Sequence, residues 1–168
     1  MFEKLTTPEE IFSFKLGSAL KMEQDALSQL EELQGETNRA EIRDVLAQHA
    51  EETKRHVTNV EECFRLLGEE PDTSPNPVTK GLAAEGKASL KKTDDAIVDA
   101  VILAGAIETE HLEIATWEIL IPNADARGAQ EVKALLQQNL DEDLEALETV
   151  KALAVRFAHE GWAVPAAG

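Results

Sequence analysis

The sequence predicts an all-α protein of four long helices, paired as two antiparallel hairpins and joined by one long crossover. Three observations lead there. Apolar residues recur every three to four positions along four stretches, no run alternates apolar and polar residues for long, and hairpin dipeptides are missing. A chain of 168 residues suits one domain with a sizeable core, and 43% apolar with 29% charged residues is the composition of a folded protein.

The punctuation defines each element. Thr7-Pro8-Glu9-Glu10 combines an N-cap, a proline at the first helical position and a glutamate that closes a capping box. The first helix is expected over about 8–34, with Gly35 as its C-terminal stop. Asn38-Arg39-Ala40-Glu41 repeats the capping-box pattern, and the second helix is expected over about 38–67, halted by Gly68 with Pro71 behind it. Residues 69–92, rich in Pro, Gly, Ser and Lys, read as a crossover holding a short helix from about Thr79 to Leu90. Thr93, Asp94 and Asp95 open the third long helix, over about 94–121, because acids favour a first turn, and Pro122-Asn123 is its expected end. The fourth runs over about 127–160. At 1.5 Å per residue these helices are roughly 40–50 Å long, a matched set. One long crossover between two hairpins is the connectivity of ferritin-like bundles; an up-down-up-down bundle would not need it.

Polar residues interrupt the apolar stripes near the middle of each helix. In the first, Leu16, Leu20, Leu27, Leu30 and Leu33 form the stripe, and Glu23 takes the missing rung. In the second, Ile42, Val45, Val60 and Cys63 flank His49, Glu52 and His56, which steps of three and four keep on one face. In the fourth, Asp143 fills the gap between Leu140 and Leu147, with Glu142 on the flank. The third helix is apolar almost all round, so spacing leaves two faces open: Glu110 with Glu113, or Glu108 with His111. Several carboxylates in an apolar bundle are prohibitive unless cations neutralise them, and carboxylate with imidazole suits iron or manganese. The established di-metal pattern uses Glu-x-x-His on two helices. Here Glu108-x-x-His111 has that spacing, His49-x-x-Glu52 reverses it, and Glu52-x-x-x-His56 is one residue longer.

At these residues the chain resembles the YciE/YciF group of bacterial ferritin-like proteins. The resemblance lies in Met22-Glu23-Gln24, in His49-Ala50-Glu51-Glu52-Thr53 running on to His56, and in Glu110-His111-Leu112-Glu113-Ile114-Ala115. Phe64-Arg65-Leu66-Leu67-Gly68-Glu69 followed by proline also matches, and the likeness spans about residues 8–157. It implies a ferritin-like bundle with a di-metal carboxylate centre and a link to stress responses, but no established reaction. It favours Glu23, Glu52, Glu110 and Glu113 as ligands, with His49 and His56 next, and tips the third helix towards the Glu110/Glu113 face. Among the acids Asp141-Glu142-Asp143 of the fourth helix, the stripe selects Asp143. Members of the group often carry tyrosines near the first glutamate and after the histidine of the third helix; Lys21 and Leu112 stand there, and the chain has no tyrosine.

The expected function is therefore a protein holding two metal ions, iron ahead of manganese, that acts on dioxygen or peroxide in a bacterial stress response. The alternative is a metal-free helical interaction protein with a vestigial polar core; iron storage would need a hollow multi-subunit shell. A formal charge of −17 argues against nucleic acid or an anionic membrane as partner. The single Cys63 excludes an internal disulfide and fits a reducing cytoplasm, and it reads as a small buried apolar residue. No leader-like apolar run follows Met1, and the apolar stretch Ala100 to Ile107 is too short to span a bilayer. A homodimer is the expected assembly. Glu31, Glu32 and Glu51 read as solvated, His111 as a histidine packed beside the ligands, and Trp117 and Trp162 as packing residues.

Overall fold

The computed structural model describes residues 4–162, so the reading of residues 1–3 lies outside it. Its elements are α1 (Pro8–Glu36), α2 (Ala40–Leu66), α3 (Pro77–Leu90), a 3-10 turn (Asp95–Ile97), α4 (Val98–Ala126) and α5 (Gln130–Glu160). Among the described residues there is no strand, and no helix is long and apolar enough to cross a membrane.

The first cap forms as its residues dictate. Thr7 Oγ1 accepts the Glu10 N–H at 3.1 Å, and the Glu10 carboxylate accepts the Thr7 N–H at 3.1 Å. The other termini differ from the sequence-based expectation in instructive ways. Helix α1 runs through Gly35 and stops where Thr37 turns extended, at φ −76° and ψ 139°. Asn38 does not cap α2; Arg39 holds that position without a side-chain bond, and the Asn38 side chain donates to the Asp95 carbonyl instead. Asn76 caps α3 by accepting the Thr79 N–H, so the crossover helix begins at Pro77 rather than Thr79. Asp94 caps the 3-10 turn, which leads into α4. Pro122 does not end α4. It forfeits one bond to the carbonyl of exposed Glu118, whereas continuing the helix buries Leu120 and Ala124. The stop comes at Gly128, whose φ of 70° favours glycine, and α5 begins only at Gln130.

Helices α1 and α2 form one hairpin and α4 and α5 the other; α2 packs on α5 and α1 on α4. Each of these pairs is antiparallel, since Phe12 clusters with Phe64 and Ala124, and Val132 with Cys63 and Leu120. The end of α2 and the start of α4 therefore lie at opposite ends of the bundle, and the crossover travels its length over α1 and α4. It passes so close to α1 that a Cβ on Gly17 would stand 2.8 Å from Ser74 Oγ and 2.9 Å from the Asp72 carbonyl oxygen. Ser13 Oγ donates to Glu69 at 2.9 Å, and Asn76 Nδ2 to the Ser18 carbonyl at 3.2 Å.

Two apolar clusters fill the interior. One gathers Phe12, Leu16, Leu20, Phe64, Trp117, Leu120 and Leu136; the other gathers Ile42, Leu46, Ile102, Leu147, Val150 and Phe157. Leu140 touches both. Each large apolar side chain contributes about 1.5–3 kcal/mol on burial. Between the clusters lies a polar layer. Trp162 joins the second cluster edge-on to Phe157, and Arg39 donates to its carbonyl at 3.2 Å, so the packing role expected for it is met.

Outside that layer, Asp99 is the buried charge that joins the hairpins. It accepts from Thr37 Oγ1 at 2.7 Å and from the Asn38 N–H at 3.1 Å, and lies 3.4 Å from Arg39 Nε. Arg39 in turn stacks on Phe157 of α5, 4.0 Å from its ring centre. Asp99→Ala should cost about 2–4 kcal/mol in urea unfolding, because it removes the acceptor of two donors and the carboxylate beside Arg39 Nε. A loss under about 0.5 kcal/mol would show that water replaces Asp99 without penalty.

Candidate metal centre

The midpoint of each long helix contributes to the polar layer. Glu23 comes from α1, His49 and His56 from α2, Glu110 and Glu113 from α4, and Asp143 from α5. All six are buried, with Glu23, His56 and Asp143 at 0% exposure. They fall into two groups whose donor atoms lie within 4.8 Å of one another: His49, Glu110, Glu113 and Asp143 in one, Glu23, His56 and Asp143 in the other. Asp143 belongs to both.

Contacts within the layer are incomplete. His49 Nε2 lies 2.9 Å from Glu110 Oε1, and His56 Nδ1 lies 3.4 Å from both Glu23 Oε2 and Asp143 Oδ1. Trp117 Nε1 donates to Asp143 Oδ2 at 2.6 Å. Both oxygens of Glu23, both of Glu113, Oε2 of Glu110 and Oδ1 of Asp143 are buried without a hydrogen-bond donor, and His56 Nδ1 has no hydrogen bond either. Buried polar atoms are ordinarily satisfied, so this many acceptors facing one small volume is a donor set for cations. Oxygen and imidazole ligands suit iron, manganese or zinc better than softer metals. Each of the two groups could hold a metal ion.

Titration behaviour reflects the same crowding. Burial, then the charges of Glu23, Asp143 and Glu110, holds Glu113 well above the usual carboxylate range. Burial, then the charge of Glu23, pushes Asp143 up to about 8 against the pull of His56. For His49, burial opposes the charge, but hydrogen bonds to Glu110 and then Glu52 prevail and lift the pKa to about 10. For His56, burial again opposes, and the Glu23 carboxylate beside it, then the charge of Asp143, carry it to about 9.

Other residues singled out from the sequence take different places. Glu52 is partly exposed and belongs to neither group; its Oε2 lies 3.3 Å from His49 Nδ1, and Gln48 donates to its Oε1. The hydrogen bond to His49 is what lowers its pKa. Glu142 sits at the rim, 3.0 Å from His56 Nε2 and 3.1 Å from Arg55 Nη2. Glu108 and His111 are exposed, which closes the alternative face of that helix and corrects the packed position expected for His111. Glu31, Glu32 and Glu51 are exposed. Cys63 is fully buried against the other cluster residues, and burial pushes its thiol up to about 12.

Three contributors escaped the sequence reading. Trp117 packs, as expected, but also fixes Asp143; an indole N–H buried four residues after Glu113 needs an acceptor, and that was the available signal. Thr53 is buried and donates back to the His49 carbonyl at 2.9 Å. Asn139, also buried, receives Asn59 Nδ2 at 2.8 Å one turn before Asp143.

Comparison with known proteins agrees with this architecture. The family described as Domain of unknown function (DUF892) matches residues 7–162. The structure of YcfI from Rhodopseudomonas palustris superposes with a TM-score of 0.86 at 26% identity, over 90% of this chain and 98% of that one. The E. coli stress protein YciF superposes with a TM-score of 0.86 at 21% identity, over 92% and 99%. A protein from Xanthomonas campestris does so with a TM-score of 0.68 at 25% identity, over 92% and 98%. No protein of curated function matches the chain by sequence.

The raised pKa values set a pH dependence for protein treated with a chelator. A group whose folded pKa is raised contributes stability that is complete below its unfolded pKa and lost as the pH climbs through the folded one. That window runs from 3.8 to about 8 for Asp143, and from 6.5 to about 10 and about 9 for His49 and His56. Glu52, which is lowered from 4.5, acts only below that value. Calorimetry should therefore show the melting temperature falling steadily between about pH 5 and pH 10. A flat or rising trend would contradict the buried cluster.

Proposed function

The chain belongs to the family described as Domain of unknown function (DUF892), and on that footing we propose that it is a ferritin-like protein holding two metal ions, iron ahead of manganese, that acts on dioxygen or peroxide in a bacterial stress response. One observation carries the reading: buried carboxylate oxygens from α1, α4 and α5 converge without donors, in two groups that share Asp143. Two hairpins joined by a lengthwise crossover support the ferritin-like description. The likeness in fold to a protein named as a stress protein suggests the cellular setting. In this reading the protein works in the cytoplasm as a homodimer.

Bound iron or manganese would supply one-electron redox chemistry and open coordination positions for the oxidant. The chain's own residues do the rest. His49, Glu110 and Glu113 would hold one ion and Glu23 and His56 the other, with Asp143 a member of both groups. Trp117 fixes one oxygen of Asp143 and leaves Oδ1 turned to the donor groups. Glu52 orients His49 from outside, as Glu142 does His56, the usual partnership of a ligating imidazole with a carboxylate. The apolar clusters on either side keep bulk water away. With no tyrosine in the chain, no tyrosyl relay operates.

Reconstitution with ferrous iron, followed by plasma mass spectrometry, should find about two ions per chain, as the two donor groups require. Asp143→Asn should lose more than half of that metal, whereas Glu52→Ala should keep most of it. Glu113→Gln should lose metal without lowering the melting temperature of chelated protein, because burial already disfavours the ionised carboxylate there and the amide never has to ionise. Wild-type protein that takes up neither iron nor manganese would overturn the reading and leave the metal-free helical protein.

A further inference from the structure

A cavity of about 310 Å³ lies between α1, α3 and α4. That is about twice the roughly 150 Å³ that accepts a benzene ring. Leu30, Leu33, Leu82, Leu90 and Ile102 make its walls, and His49, Glu110 and Glu113 close its inner end. The crossover helix roofs it, tied to α1 by Lys87 Nζ to Glu32 at 3.0 Å and by Thr79 Oγ1 to Asp25 at 3.1 Å.

Two glycines make the space. Gly86 in α3 and Gly105 in α4 both line the cavity, and a Cβ on either would meet no atom within 4 Å. Neither has a positive φ. A glycine inside a helix costs about 1 kcal/mol relative to alanine. Close packing and turn geometry, the usual reasons to accept that cost, are missing at both positions. What the two share is the volume in front of them. The charges at the rim narrow the occupant. Glu32, Glu85 and Glu108 stand there with Lys87, which Glu32 already pairs, so an anionic tail is repelled. A cation would meet carboxylates at both ends of the cavity, so what this lining excludes is negative charge.

From these observations we propose that the cavity binds a largely apolar organic molecule that carries no negative charge, a medium-length alkyl alcohol or a two-ring aromatic, with one end against His49, Glu110 and Glu113. It names the substrate class for the two-metal centre and rests on that reading for the role of those three residues, though not for the binding itself.

Fluorescence titration of the full chain with 1-aminoanthracene, an uncharged apolar fluorophore, tests it with and without iron. Saturable single-site binding is expected in both forms. Gly105→Leu should weaken it at least tenfold without lowering the melting temperature, while Gly105→Ala should bind nearly as the wild type. Gly86→Leu, on the other wall, gives the same reading should the first variant misfold. 1-Decanol should displace the fluorophore at a concentration at least tenfold below that of decanoate. Lack of saturable binding, wild-type binding by both leucine variants, or equal displacement by decanoate would each overturn the inference. Metal content separates the two claims. Fluorophore binding by a chain that takes up no metal sustains the cavity and sinks the two-metal reading; metal uptake without fluorophore binding sinks the cavity alone.

Discussion

Four carboxylates and two imidazoles withdrawn from water at one level of the bundle set the terms for everything around them. A lone carboxylate in such a place would take up a proton or drive the helices apart. Here the acids are spread over α1, α4 and α5, and both histidines come from α2, so α2 carries the compensating positive charge for three neighbours. That division requires α2 to face all of them, which a hairpin pair with α2 against α5 and α1 against α4 achieves. The apolar clusters on either side then clamp a layer that would not hold together unaided.

The crossover is the second consequence. Because α2 ends and α4 begins at opposite ends of the bundle, the chain must travel the molecule's length. Doing so along α1 and α4 covers the cavity beside Glu110 and Glu113, and Gly17 lets the backbone pass. Asp99 closes the far end by gathering the α1–α2 loop, the start of α4 and, through Arg39, the end of α5. Connectivity, cover and cavity thus follow from one arrangement of the helices rather than from separate features.

How far the sequence disclosed the centre depends on the helix. On α1 and α5 a clean apolar stripe made a polar rung conspicuous, which is why Glu23 and Asp143 could be singled out. On α2 the stripe was right but its width misled. At 3.6 residues per turn Glu52 points roughly 60° away from His49, enough to leave it at the rim while Thr53 turns inward. On α4 periodicity carried no phase, because α1, α3 and α5 all pack against it and leave little polar face. Only the resemblance favoured Glu110 and Glu113 there, and the packing brings those two into the layer while Glu108 and His111 meet water.

By itself the sequence determined an all-helical chain, the Thr7 cap, the stop at Gly68, the long crossover and the depth at which each stripe is broken. Those are local properties: they depend on residues within a turn or two of one another. Helix ends at Gly35, Asn38 and Pro122 escaped it, since burial of Thr37 against Asp99, and of Leu120 and Ala124 in the core, outweighed the local signals. Which acids meet, which donor Asp143 accepts from and where an empty volume remains were decided only by the tertiary structure. Rotation of each helix about its axis is set by neighbours distant in sequence, and a few tens of degrees separate a buried donor atom from a solvated one.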